Sequence, residues 1–194
     1  MIADALLFLR DRLNRHFKSF SSASDTGASE DKVVFLDGDQ KADSISFKLD
    51  KLTVLLYRVE KETSLPCGDP FVRAGPNGSS QRVRPDISMN LYVLLVAKFA
   101  DYAQGLNYLS QAVRFFQSNN VFDRQSAPEL GGEIAELALD LVSLTTQQQN
   151  ELWGLFRTHY VPSVAYRIRT VVFLDEAAQP SAPAVGSLNR RGLN

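Results

Sequence analysis

The chain has 194 residues, 44% of them hydrophobic, with 21 basic and 22 acidic side chains and a formal net charge of −1. A single domain of this size buries roughly 70% of the surface its unfolded chain exposes, so it needs neither metal nor disulfide to hold a core. Near-neutral charge offers no global field toward nucleic acid or an anionic membrane, and one cysteine, Cys67, excludes an internal disulfide and points to a reducing compartment.

In chain order, Ile2, Leu6, Leu9, Leu13 and Phe17 recur at spacings of four and three among Asp4, Arg10, Asp11, Arg12, Arg15 and Lys18. This predicts an amphipathic helix over residues 2–19, with mixed charge on its polar face, suited to docking on a sheet. Its order of apolar and basic residues is the reverse of a secretory signal, and no stretch of about 18 uncharged apolar residues occurs. A soluble protein made in the cytoplasm, without membrane insertion, is expected. SSASDTGASED reads as a polar loop and KVVFL as a short strand. DGDQKADS places Asp37, Asp39 and Asp43 close together, but without the spacing or distal Glu of a calcium loop.

KLTVLLYRVEKE and ISMNLYVLLVAKF read as interior strands. Between them, residues 64–86 form a long Pro- and Gly-rich loop. Asp101 is placed to cap a helix whose stripe is Tyr102, Leu106, Leu109, Val113 and Phe116. VFDRQSAPELGG is a connector. EIAELALDLVSL fits both a strand and a helix by its periodicity. Thr145 or Thr146 with Gln148 or Gln149 forms a capping box, followed by Leu152, Trp153, Leu155 and Phe156 as an apolar helix face. Pro162 prevents continuation. Beyond it Val164, Tyr166, Ile168, Val172 and Leu174 share one strand face, and Arg167 and Arg169 the other. The last stretch, 177–194, is rich in Pro, Ala, Ser and Gly and reads as a flexible tail that carries Arg190 and Arg191.

The chemistry of these residues is sparse. Ser163 and His159 flank a Pro break, with no nucleophile elbow and no third group to orient the His. They read as the start of a strand and the end of a helix. Cys67 has only His16 and His159 as candidate bases, neither in a cysteine-protease motif. GPNGSS lacks the Lys of a phosphate-binding loop, and one Cys with two His cannot build a typical structural zinc site. No cofactor is expected. Trp153, Pro162, Tyr166 and Phe116 read as core, and Arg167, Arg169, Arg190 and Arg191 as candidate interface residues.

NLYVLLVAKFADYAQGLNYLSQAVRFFQSNNVFD followed by LWGLFRTHYVPSVAYRIR resembles the tail-terminator (cap) family of contractile injection systems, the phage-tail-like particles of the Photorhabdus virulence cassette and antifeeding-prophage type. The resemblance spans roughly residues 2–176. It implies an α+β fold, a single domain over 1–176 in which a mixed β-sheet carries packed helices, with ELALDLVSL as a strand and 177–194 as a tail or docking arm. It also implies a structural, non-enzymatic role: a hexameric ring that meets inner tube and sheath proteins and fixes particle length. An enzyme or effector carried by such a particle, and a small-ligand-binding α+β domain, are the alternatives.

Overall fold

The most apolar run of the chain becomes the middle of the structure. In the computed structural model, which describes residues 2–20, 30–36, 45–62, 72–74, 80–82, 87–130 and 134–172, residues Ile87–Lys98 form strand β5. Helix α1 (Ile2–Phe20) precedes it, with strands β1 (Val33–Phe35), β2 (Lys51–Lys61), β3 (Val72–Ala74) and β4 (Ser80–Arg82). Helix α2 (Tyr102–Ser118), strands β6 (Val121–Asp123) and β7 (Ile134–Val142), helix α3 (Thr146–Leu155) and strand β8 (Ser163–Val172) follow. Six strands make one sheet in the order β1-β2-β5-β8-β7-β6. β1 runs parallel to β2, and the other pairs are antiparallel. The fold is the mixed α+β sheet with packed helices that the sequence implies.

Strand alternation divides the sheet's apolar residues between two faces. One face presents Leu52, Val54, Leu91, Val93, Leu95, Leu137, Leu139, Tyr166 and Ile168 to α1 and α2. The other presents Leu55, Leu94, Val96 and Ala165 to Phe47 and to α3 through Leu152, Trp153 and Phe156. Residues such as Leu91 and Ile168 have no exposed surface, and full burial of each is worth about 1.5–3 kcal/mol. The middle strands are apolar on both sides where both sides are covered.

The helices begin where their caps place them. Asp101 accepts a hydrogen bond from the Ala103 amide and so caps α2. Thr145 and Gln148 exchange the two bonds of a capping box at α3. α3 stops at Leu155, and Arg157 takes a left-handed backbone with φ of 50°. The stop therefore comes before Pro162, whose carbonyl instead accepts the Ala97 amide at 2.9 Å and helps seat the start of β8.

Several expectations need adjustment. The 64–86 segment holds a short hairpin, β3–β4, with Val72 opposite Arg82. The connector after α2 begins with edge strand β6, paired to β7 from Val121 to Asp123. On α2 the buried positions are Gly105, Leu109, Ala112 and Phe116, whereas Tyr102 and Leu106 face solvent. Leu155 is 79% exposed rather than part of the apolar face of α3. The loop after α1, the Asp37–Asp43 loop, Cys67, Leu174 and the tail from 177, with Arg190 and Arg191, lie outside the described residues.

α1 and α2 meet along an aromatic seam. Phe17 meets Tyr108 edge-on at 5.1 Å, and the His16 ring lies 4.8 Å from that of Phe115. Burial lowers the His16 pKa below its ordinary 6.5. The unfolded chain thus takes up this proton at higher pH than the folded one. The His16 contribution is complete above pH 6.5 and is lost as pH falls through the folded value. Thermal stability is expected to fall between about pH 7 and 5, and His16→Gln to remove that part of the fall. An identical fall in the variant would assign the effect elsewhere. Glu30, held low chiefly by its hydrogen bond to Lys51, and Asp31, held low chiefly by Lys18, act in the separate, more acid carboxylate window.

Candidate functional site: the charged half of the second sheet face

α3 and Phe47 cover only part of the second face. Beyond the row Leu94–Ala165–Val142, the same face turns polar. The next row runs across four strands as Arg58, Tyr92, Arg167 and Asp140, and the one after it as Glu60, Asn90, Arg169 and Ala138.

A bulge in β2 makes these rows possible. The register with β5 shifts between Leu56 and Arg58, so Leu56 lies opposite Val93 and Arg58 opposite Tyr92. The unpaired Tyr57 absorbs one residue and inverts the alternation beyond it. Without it, Arg58 and Glu60 would point under the helices and Val59 would join the charged rows. With it, Val59 takes the helix side, at the sheet's end, where it is about half exposed.

The charges in these rows hold one another. Arg167 Nη2 lies 2.8 Å from Asp140 Oδ2, and Arg169 Nε lies 3.5 Å from the same oxygen. Arg58 pairs with Glu60 and sets its guanidinium 5.3 Å above the Tyr92 ring. Asn90, itself buried, donates from Nδ2 to Glu62 Oε2 at 2.9 Å. The hydrogen bond to Glu60, with burial second, pushes the Tyr92 hydroxyl pKa up. The bond to Asp140 raises that of the Arg167 guanidinium. Asn90 Oδ1 and Arg167 Nε are buried without a hydrogen-bond partner.

Three cations, Arg58, Arg167 and Arg169, face three anions, Glu60, Glu62 and Asp140. Each guanidinium already has a carboxylate, so the surface is poorly prepared to take a free phosphate. An ordered array of donors and acceptors on a rigid sheet is better suited to another protein's surface. The pairing comes from register. Alternation in sequence puts Arg167 and Arg169 on one face, but nothing in it reveals Asp140, Tyr92 or the bulge.

The expected core residues occupy both sides of the sheet. Phe116 meets Tyr166 edge-on at 5.1 Å on the α1–α2 side, where burial pushes the Tyr166 hydroxyl up to about 12. Trp153 lies in the α3 cluster, against which Val161 packs, and Pro162 next to Val161 is half-buried. Ser163 opens β8 opposite Val96 as expected, whereas His159 lies exposed beyond the end of α3 at Leu155 rather than in the helix. No group of three or more metal-ligating side chains occurs among the described residues, nor a helix long and apolar enough to cross a membrane.

This architecture is matched by sequence. The pattern of the family described as the Pvc16 N-terminal domain covers residues 6–187. The chain belongs to the Pvc16 N-terminal domain family. In fold, this Pvc16 N-terminal domain is similar to the PVC sheath/tube terminator of an extracellular contractile injection system in its extended state. The TM-score is 0.59 at 14% identity, over 100% of this chain and 64% of that one. It is also similar to the tube-terminating cap of the anti-feeding prophage, with a TM-score of 0.54 at 13% identity, over 92% of this chain and 58% of that one. The Pvc16 N-terminal domain thus spans less than two thirds of either solved chain. No curated protein matches it in sequence. The family resemblance read from the sequence is met by the family pattern, and the fold it implies by both solved structures.

Proposed function

We propose that this protein terminates the tube and sheath of a contractile injection system. The observation that carries the reading is the family match over residues 6–187, and the fold it shares with a sheath/tube terminator and a tube-terminating cap supports it. In this reading six copies form a ring on the distal end of the inner tube, hold the last sheath layer and set particle length. The protein assembles in the cytoplasm and works as a structural part, without catalysis or cofactor.

The physical need for such a part is general. A helical polymer presents the same face at every layer, so growth has no intrinsic end. A terminator must match that end on one side, present no copy of it on the other, and share the symmetry of the polymer. A rigid sheet with balanced, pre-paired charges suits the matching side. Residues 177–194 serve in this reading as a docking arm, with Arg190 and Arg191 at the contact with sheath or neighbouring subunit.

Particles from a strain lacking the gene are expected to be uncapped and variable in length under the electron microscope. The full chain should restore uniform length, and a chain ending at residue 176 should leave particles short of caps. In native mass spectrometry, the purified protein with tube protein should give sixfold rings. A strict monomer under those conditions, together with uniform particles from the deletion strain, would refute the reading.

A further inference from the structure

α2 and α3 lie on opposite faces of the sheet, and each leaves apolar surface in water that its own core contacts do not use. On α2, Leu109, Ala112 and Phe116 face the sheet, while Tyr108 and Phe115 turn toward α1. The remaining flank carries Tyr102, 66% exposed, and Leu106, and continues at intervals of four through Ser110 to Arg114. On α3, Leu152 and Trp153 face the sheet, and the ridge Gln147, Glu151, Leu155 faces out. Gln147 Nε2 donates to Glu151 Oε1 at 2.9 Å and fixes that carboxylate on the ridge.

Beside Leu155 stands Gly154. A Cβ built there would meet nothing within 4 Å. Glycine inside a helix is destabilising relative to alanine, and the subunit's own packing gives no reason for it. Gly105 on α2 is different, because a Cβ there would come within 3.3 Å of the Phe99 ring. Gly154 thus leaves a bare stretch of backbone on the exposed side of α3, where another surface has room to approach closely.

Both helices are also depleted of charge. α2 carries Arg114 as its one charged side chain and α3 carries Glu151, whereas α1 carries Asp4, Arg10, Asp11, Arg12, Arg15 and Lys18. Charge depletion marks the centre of protein interfaces. The two isolated charges are opposite in sign, so the two surfaces complement each other.

We infer that α3 of one subunit packs on the open flank of α2 of the next. Leu155 seats against Tyr102 and Leu106, Gly154 allows the helices to approach, and Glu151 pairs with Arg114. The occupant of each patch is thus a second copy of this chain. Because the patches are on opposite sides of one sheet, the contact is head-to-tail, the kind that propagates around a ring. The inference rests on the ring reading above and names its subunit contact.

The test uses the full chain with tube protein, read by native mass spectrometry and sedimentation velocity, with circular dichroism to verify folding. Wild-type rings are measured first. Arg114→Glu, Glu151→Arg and Gly154→Gln are each expected to weaken ring formation about tenfold or more, the two charge variants with unchanged melting and Gly154→Gln with equal or higher melting. The double variant R114E/E151R is expected to recover assembly. Normal rings in all three single variants would overturn the interface and leave the ring reading standing. Loss in the two charge variants without recovery in the double variant would overturn the Glu151–Arg114 contact. A wild-type protein that stays monomeric with tube protein would overturn both.

Discussion

Trp153→Ala is expected to destabilise the protein by about 3–5 kcal/mol, the range for deleting a large buried aromatic. The indole is 5% exposed and meets Phe47, Phe156 and Tyr160 edge-on at 5.9, 5.8 and 5.6 Å. It is the centre through which α3 and the Phe47 segment are held to the sheet. For a chain of this length the loss corresponds to a fall in Tm of roughly 10 °C. Trp153→Phe separates the causes. The indole Nε1 is buried without a hydrogen-bond partner, so phenylalanine keeps most of the apolar contact and removes an unpaired donor. The Phe variant should therefore melt much nearer to wild type than the Ala variant. Equal melting of all three proteins would mean that Trp153 does not hold this cluster.

Asn14→Ala is the second large effect. Asn14 lies in α1, buried, and its side chain treats Val33 as a neighbouring strand would. Nδ2 donates to the Val33 carbonyl at 2.9 Å, and Oδ1 accepts from the Val33 amide at 2.8 Å. β1 is an edge strand, and a side-chain amide on a helix thus closes part of its open edge. Removing it leaves a buried N–H and a buried C=O unpaired, each costing about 1–3 kcal/mol. The expected loss is about 2–5 kcal/mol in urea unfolding. Hydrogen exchange gives the local readout: the Val33 amide should lose protection. Unchanged protection at Val33 in the variant would sink this account.

The sequence made some of this legible and hid the rest for identifiable reasons. The starts of α2 and α3 were readable because capping is local: Asp101 and the Thr145–Gln148 box act within three residues. β7 was ambiguous because Leu137, Leu139 and Leu141 satisfy one period and Ile134, Leu137, Leu141 and Leu144 another. Pairing with β8 decides it, from Ile134↔Val172 to Val142↔Ala165. The buried face of α2 was misread by size. Gly105 and Ala112 are buried because the helix lies close to its neighbours, and an apolar count favours Tyr102 and Leu106 instead. The charged rows depended on a bulge at Tyr57, and Asn14 on the place where β1 ends up; neither is written in periodicity. Arg167 and Arg169 could be placed on one face, but their shared partner Asp140 comes only from register.

The position of β8 has a consequence for synthesis. The last described strand lies between β5 and β7, so a strand made after all the other described ones joins the sheet at its middle. Until β8 has left the ribosome, the growing chain can form β1-β2-β5 and β6-β7 only as separate pieces. The β5 piece then presents an open edge of twelve residues, with Leu91, Val93, Leu94, Leu95 and Val96 beside it. Such an edge is prone to pair with whatever strand it meets, including the same edge on a neighbouring nascent chain. Pairing between elements this far apart in sequence also closes slowly. Chains truncated before residue 163 should therefore be aggregation-prone, and the sheet closes only once β8 has been made.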